Sequence, residues 1–191
     1  MPLTIAEQMH ECLFAVHVAR MHRNVWGTIM VRADEDWNDV VRIYPEFFAT
    51  LINATFGHLI VLMYRFLEER DDVVSPLMLF RRMCHANLVP DAKKAELEKS
   101  VEDMRPLWEK AKTLRHKSIA HLEVQVSQNL IYRCEDFSPA EMSTLIDAAD
   151  NFLIELQALN GDAPVVHLDY SEHYTRALLL DLRKVNAQNK P

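Results

Sequence analysis

An arginine and a histidine in the second half of the sequence have the side chains needed for chemistry on a phosphodiester. They bound the segment that reads Arg115-His116-Lys117-Ser118-Ile119-Ala120-His121. A guanidinium fork can bind two phosphate oxygens at once, and a histidine can accept a proton from one oxygen and give one to another. Those two roles suffice for metal-independent RNA cleavage, in which the ribose 2′-hydroxyl attacks the adjacent phosphate.

The helix that must position these residues is predicted from about Asp91 to His121. At about 100° per residue, Arg115 falls in the middle of its apolar stripe, Ser118 within it and His121 at its edge. His116 falls on the opposite, outward face. In a straight helix Arg115 and His121 are about 120° and about 9 Å apart, so two-fold pairing of chains or fraying at His121 would help them to act together.

A structural explanation of the same pattern stays open. A buried guanidinium without a partner costs several kcal/mol, so Arg115 could instead form an ion pair with Glu68, Glu69 or Asp71. His121 would then be a helix-terminal histidine favoured by the helix dipole.

Basic residues are concentrated between Arg105 and His121, where the sequence contains one acid, Glu109. We expect Lys110, Lys112, Lys117 and Ser118 to contact RNA, although from charge alone a solvated basic face is the better explanation of the lysines. The net charge of −7 counts against nonspecific binding of nucleic acid over the whole surface.

The 191 residues suffice for one well-filled all-α bundle of about five to six helices. Helix starts are indicated by Thr4 with Glu7, by Ser138-Pro139 with Glu141, and by Ser75-Pro76. We expect a bundle domain over 1–160 and, over 161–191, an amphipathic tail helix that packs on the bundle or on a dimer partner. A small hairpin over 122–134 is a further expectation. The predicted helices are Thr4 to Val25, Pro45 to Glu69, Pro76 to Ala86, Asp91 to His121, Pro139 to Leu159 and Ser171 to Val185.

Several functional classes are disfavoured. The three glycines form no phosphate-binding loop, no unbroken apolar run reaches about 18 residues, and no signal peptide is evident. The three dispersed cysteines fit a reducing cytoplasm. We expect no cofactor and no resident metal. The metal alternatives are Glu7 with His10, whose helical motif lacks the second copy that a di-iron site needs, and a site from His17, His22, His58 and His85.

Segment 115–121 resembles the signature of the HEPN superfamily of helical ribonucleases and nucleotide-binding proteins, which is an arginine, a polar residue and, after a spacer, a histidine. The wider pattern from Leu114 to His121 resembles the abortive-infection AbiU group. Tyr64-Arg65-Phe66-Leu67-Glu68 and Ser75-Pro76-Leu77 upstream also suit that group. The resemblance covers roughly residues 40–160.

The resemblance implies a helical bundle that forms a homodimer with the two signatures facing each other. Arg115 would hold phosphate, His121 would be the acid and base, and His116 would be the auxiliary polar residue, where the group usually has Asn or Asp. It also implies a cytoplasmic toxin or phage-defence ribonuclease, with a nucleotidyltransferase-type antitoxin as a possible partner. The alternative function is a non-catalytic interaction or nucleotide-binding module with the same fold.

Overall fold

The computed structural model describes residues 3–30, 37–120, 137–162 and 169–188, with the side chains of 118–120 left aside. Every regular element in these ranges is a helix, as predicted. The seven helices are α1 (Ile5–Met30), α2 (Asn38–Val41), α3 (Pro45–Arg65), α4 (Pro76–His85), α5 (Asp91–Ala120), α6 (Pro139–Asn160) and α7 (Ser171–Gln188).

Local hydrogen bonds explain where the helices begin. The amide of Glu7 donates to Thr4 Oγ1 at 3.2 Å, and the Glu7 carboxylate accepts from the Thr4 amide at 2.8 Å. Ser138 and Glu141 form the same reciprocal capping box at α6, where Pro139 occupies the first helical position. Each box satisfies amides that would otherwise lack a helical partner, so both predicted starts are confirmed.

α4 begins with a buried serine that ties two elements together. Ser75 Oγ accepts a hydrogen bond from the amide of Met78 at 3.1 Å and donates one to the carbonyl of Glu68 at 2.7 Å. Pro76 follows as the first helical residue. This one side chain therefore caps α4 and also fixes the loop that follows α3.

Two residues with positive φ terminate helices. Asn87, at φ 56°, follows α4, and Gly161, at φ 80°, follows α6. This left-handed conformation costs a side chain little when it is asparagine and costs glycine nothing, and it lets the last carbonyls accept hydrogen bonds.

α1 is the centre of the bundle and packs against α3, α4, α6 and α7, while α5 packs against α3 and α6. The core between these helices is aliphatic and aromatic, and its fully buried members include Ala19, Leu59, Met63, Ala111 and Leu145. α5 runs through Pro106 without interruption. The consequence for function is that the C-terminal half of α5 is held against the end of α3.

α3 is, among the described residues, the one helix long and apolar enough by composition to cross a bilayer. Residues such as Phe48, Ile52 and Phe56 bury one of its faces in the bundle. The core helix of a folded bundle meets the same test, so this is weak evidence for a membrane span. α3 meets the test through its mean hydropathy over an 18-residue window, and its apolar residues do not form an unbroken run.

The structure contains one short helix, α2, that was not predicted. Its amides bond to the carbonyl of Trp37 and to its own first turn, which a four-residue segment does not reveal through periodicity. α7 lies against α1 and α2 of the same chain. The expected hairpin over 122–134 lies outside the described residues.

Candidate functional site around Arg115

Arg115 lies on the part of α5 that packs against α3, and its side chain is half-buried. Its guanidinium carbon lies 4.2 Å from the centroid of the Tyr64 ring on α3. Its Nε is buried and has no hydrogen-bond partner among the described residues. A guanidinium over a ring face is held by cation–π attraction, which leaves its N–H edges free to donate.

Tyr64 is the platform of the site because three side chains of α5 contact its ring. Trp108 stacks on it, with centroids 5.9 Å apart and planes 16° apart, and its indole Nε1 donates to the Tyr64 carbonyl at 2.6 Å. The ring of His116 meets Tyr64 edge-on at 6.4 Å. Together with Arg115, these contacts fix the register between α3 and α5.

A buried carboxylate supports the platform from behind. The side chain of Glu68 is 9% exposed and lies 3.8 Å from Arg70 Nε. The hydrogen bond between the Tyr64 hydroxyl and Glu68, followed by burial, raises the pKa of Tyr64, while Arg115 acts in the opposite direction. The phenol therefore stays neutral at physiological pH, and no tyrosinate neutralises Arg115.

The ion pair considered as an alternative for Arg115 is absent among the described residues. Glu69 pairs instead with Arg81 at 3.3 Å and with Arg105 at 3.6 Å. Glu68 faces Tyr64 and Arg70, and Arg115 makes no salt bridge to any carboxylate in the described ranges. Arg115 contacts the ring face of Tyr64 and none of these carboxylates, so the buried-ion-pair interpretation is wrong for Glu68, Glu69 and Asp71.

The expected RNA-binding lysines have partners. Lys110 Nζ bonds to Glu141 of the α6 capping box at 2.5 Å. Lys112 Nζ lies 3.2 Å from Glu109 and 4.8 Å from the centroid of Trp108. These pairs involve partly exposed side chains, so they are weak and can exchange for phosphate.

The remaining predicted site residues divide between the surface and the undescribed segment. His116 and Lys117 are exposed, and for His116 this confirms the outward position predicted from the helical angle. The side chain of Ser118 and the whole of His121 lie outside the described residues. The structure therefore places Arg115 and His116 on one platform and leaves the predicted pairing of Arg115 with His121 as a proposal.

Tyr64 and Trp108 were the residues whose role the sequence did not reveal. Tyr64 was noted only as part of the upstream motif, and Trp108 is a buried residue of α5. Periodicity assigns both to a core face, but it cannot show that the ring of Tyr64 lies under Arg115. A tyrosine at the end of an apolar helix was the available signal.

No group of three or more histidine, cysteine, aspartate or glutamate side chains in the described ranges could hold a metal ion. The site considered from His17, His22, His58 and His85 is therefore not formed. His22 and His58 instead bond to each other, with His22 Nε2 and His58 Nδ1 2.8 Å apart. Glu7 caps α1 through Thr4 and is not a ligand.

The sequence matches the HEPN family AbiU2 over residues 5–179. The chain belongs to the AbiU2 family. The match covers six of the helices described above and the first half of α7, and it includes both Tyr64 and Arg115. It confirms the resemblance drawn from segment 115–121 and the all-α fold that it implied. No curated protein and no solved structure shows a significant match to the chain.

Proposed function

We propose that this AbiU2 family member is a cytoplasmic, metal-independent endoribonuclease that acts as a toxin or phage-defence effector. In this proposal Arg115 binds the scissile phosphate and His121 transfers protons. The family supports a nuclease-type HEPN protein, and the arrangement of Arg115 supports a phosphate site.

The observation that carries the proposal is the environment of Arg115. Its positive charge is compensated by no described carboxylate, and its guanidinium is held over the face of Tyr64. Most half-buried arginines donate hydrogen bonds to a protein carboxylate, because burying a guanidinium without a partner costs free energy. A guanidinium that is positioned by a ring and keeps its donors suits an anionic oxygen from a ligand.

The reaction requires one proton to be removed and one to be supplied. The 2′-oxygen attacks phosphorus, the bond from phosphorus to the 5′-oxygen breaks, and the products carry a 2′,3′-cyclic phosphate and a 5′-hydroxyl. The base takes the proton of the 2′-hydroxyl, and the acid gives a proton to the leaving 5′-oxygen. Arg115 stabilises the extra negative charge on the non-bridging oxygens.

A homodimer supplies both proton-transfer groups in this proposal. With the two α5 helices facing each other, one His121 accepts the proton and the other donates, which removes the difficulty of the separation along a single helix. His116 is exposed beside Arg115 and contacts Tyr64 with its ring edge. It is therefore the auxiliary residue, placed to contact the nucleotide next to the scissile bond. A nucleotidyltransferase-type antitoxin is the proposed regulatory partner.

The test uses the full chain, a single-stranded oligoribonucleotide and a buffer containing EDTA. We expect cleavage that leaves 2′,3′-cyclic phosphate ends. His121→Ala should lower the rate by about 10²- to 10⁴-fold, as expected for loss of general acid–base catalysis. Arg115→Ala should produce a comparable loss.

Two controls separate chemistry from folding. His173→Ala and Arg42→Ala remove exposed side chains of the same types elsewhere, so both variants should keep full activity. Each of the four variants should melt within a few degrees of the wild type. RNA or nucleotide binding without any cleavage by the wild type would contradict the nuclease and support the non-catalytic module. Cleavage that disappears in EDTA would point to a metal enzyme instead.

A further inference from the structure

An open groove of about 790 Å³ runs between α4 and α5, away from Tyr64. Its floor is apolar and includes the buried side chains of Leu77, Phe80 and Val101. Its rim is charged, with four basic and two acidic side chains. These are Arg81, Lys94, Lys99, Arg105, Glu98 and Glu102. The groove is therefore net positive, although the chain as a whole carries −7.

Part of this positive charge has no carboxylate partner in the part of the chain that the structure describes. Arg81 and Arg105 both approach Glu69, at 3.3 Å and 3.6 Å. Arg105 Nε also lies 3.3 Å from Glu102, so two acids balance these two guanidinium groups. Lys94 and Lys99 form no salt bridge with a described residue, and they are therefore the rim cations available to a phosphate.

The groove is aligned with the Arg115 site along α5. At about 100° and about 1.5 Å per residue, Lys94, Arg105 and Lys112 fall within about 20° of one line over about 27 Å. Arg115 and His116 lie on either side of that line, about one turn further along. The acids Glu98, Glu102 and Glu109 all fall to one side of this line, by about 40° to 80°, so the groove and Arg115 share the other side of α5.

We infer that this groove binds the sugar–phosphate backbone of single-stranded RNA next to the segment held at Arg115. This inference rests on the proposed function, since it extends the substrate of the same site. Phosphates would contact the basic rim, and ribose or base would lie over the apolar floor, as in other single-strand grooves that combine charge with an apolar surface. Arg105 is about 15 Å along the helix from Arg115, so the bound strand spans several nucleotides.

The test measures binding of a fluorescent 12-nucleotide RNA by anisotropy, with EDTA and with His121→Ala in every protein to prevent cleavage. The double substitution Lys94→Glu and Lys99→Glu changes two exposed side chains of the rim. We expect it to raise Kd about tenfold or more and to reduce the slope of log K against log salt by about 1.4, for two lost phosphate contacts. The matched control, Arg42→Glu with Lys184→Glu, makes the same change of charge at exposed positions outside the groove.

Cleavage assays without the His121 substitution distinguish this inference from the proposed function. The rim variant should cleave the 12-nucleotide RNA with reduced kcat/KM but cleave a dinucleotide, which reaches only Arg115, at the wild-type rate. Equal effects of the rim and control variants on RNA binding would overturn the groove assignment even if the wild type is an active nuclease. A wild type that cleaves neither RNA would overturn the proposed function alone, because the anisotropy result would still stand. Binding of a fluorescent poly-glutamate peptide, with no binding of RNA, would show an acidic protein partner and would also overturn the inference.

Discussion

The guanidinium of Arg115 on α5 lies against the ring face of Tyr64 on α3, 4.2 Å from its centroid. This contact joins the signature helix to the most apolar helix of the bundle. It holds a cation at the edge of the core without neutralising it, because a ring contributes a quadrupole and no net charge. A phosphate-binding arginine benefits from that arrangement, since the site is fixed before the ligand arrives.

The first prediction concerns the energy of this contact. In a double-mutant cycle of Tyr64→Ala and Arg115→Ala, urea denaturation should give a coupling free energy of about 0.5 to 2 kcal/mol, the range of cation–π pairs. A cycle with Tyr64→Phe should give a much smaller coupling, because phenylalanine keeps the ring. If the two cycles couple equally, the hydroxyl and not the ring holds Arg115.

The second prediction concerns the effect of the same contact on RNA cleavage. Tyr64→Ala should lower RNA cleavage because Arg115 loses its position, whereas Tyr64→Phe should retain most of the activity. Tyr64→Phe should lower the free energy of unfolding by less than about 1 kcal/mol, since it removes one partly exposed hydroxyl and keeps the ring. Tyr64→Ala should destabilise the fold further, because it also removes the ring on which Trp108 stacks. Loss of activity in Tyr64→Phe equal to that in Tyr64→Ala would contradict a positioning role for the ring.

Much of the candidate site could be predicted from local spacing, and the rest depends on contacts between helices. Arg115 was predicted at a core-facing position and His116 at an outward one, because both follow from the angle per residue on a single helix. The ion pairs of Lys110 with Glu141 and of Arg105 with Glu69 join residues far apart in sequence. The periodicity of a single helix cannot reveal such pairs. The cationic run between Arg105 and Lys112 is therefore more neutralised in the fold than in the sequence.

The fold itself was more predictable, because capping residues and prolines close in sequence to the helix ends mark its boundaries. Serine–proline and capping-box pairs predicted the starts of α4 and α6. α2 was missed, since one turn has no period to detect. α1 continues to Met30, beyond the expected end at Val25, because Trp26 and Ile29 bury side chains in the same core as the earlier turns. Tertiary packing decided that boundary.

The third prediction tests how α7 is held. Leu179 is 1% exposed, while its neighbour Leu178 is 49% exposed. Leu179→Ala should cost about 2 to 4 kcal/mol, as for other fully buried leucines, and Leu178→Ala should change stability by less than about 0.5 kcal/mol. Chemical denaturation of the two variants provides the measurement. Equal and small effects would show that α7 is not part of the cooperative fold.

The fourth prediction concerns Ser75, which is fully buried and bonds to both Met78 and Glu68. Ser75→Ala should destabilise the protein by about 2 kcal/mol, because it removes a helix cap and leaves a buried carbonyl without its donor. Ser100→Ala, which removes a weaker hydroxyl bond to the carbonyl of Glu96 at 3.1 Å on α5, is the control and should be nearly neutral. An equal loss in both variants would contradict a special role for the α4 cap.

The last prediction concerns pH and the pair formed by His22 on α1 and His58 on α3. Their ring nitrogens are 2.8 Å apart, so one ring must accept the hydrogen bond in its neutral form. Burial, and then the charge of His58, lowers the pKa of His22 in the folded state. The unfolded chain, where a histidine titrates near 6.5, therefore binds this proton more readily. Stability from this pair is present above about pH 6.5 and is lost as the pH falls below that value.

Melting temperatures measured from pH 8 to pH 5 check this sign. The wild type should lose more stability on acidification than His22→Gln, because glutamine does not titrate and can still donate to His58. His173→Gln, at an exposed position on α7, should follow the wild-type curve and shows how much of the slope comes from other groups. Parallel curves for wild type and His22→Gln would mean that His22 binds its proton equally well in the folded and unfolded chains. Because α1 and α3 meet at this pair, a steeper wild-type curve would identify their contact as the acid-sensitive part of the bundle.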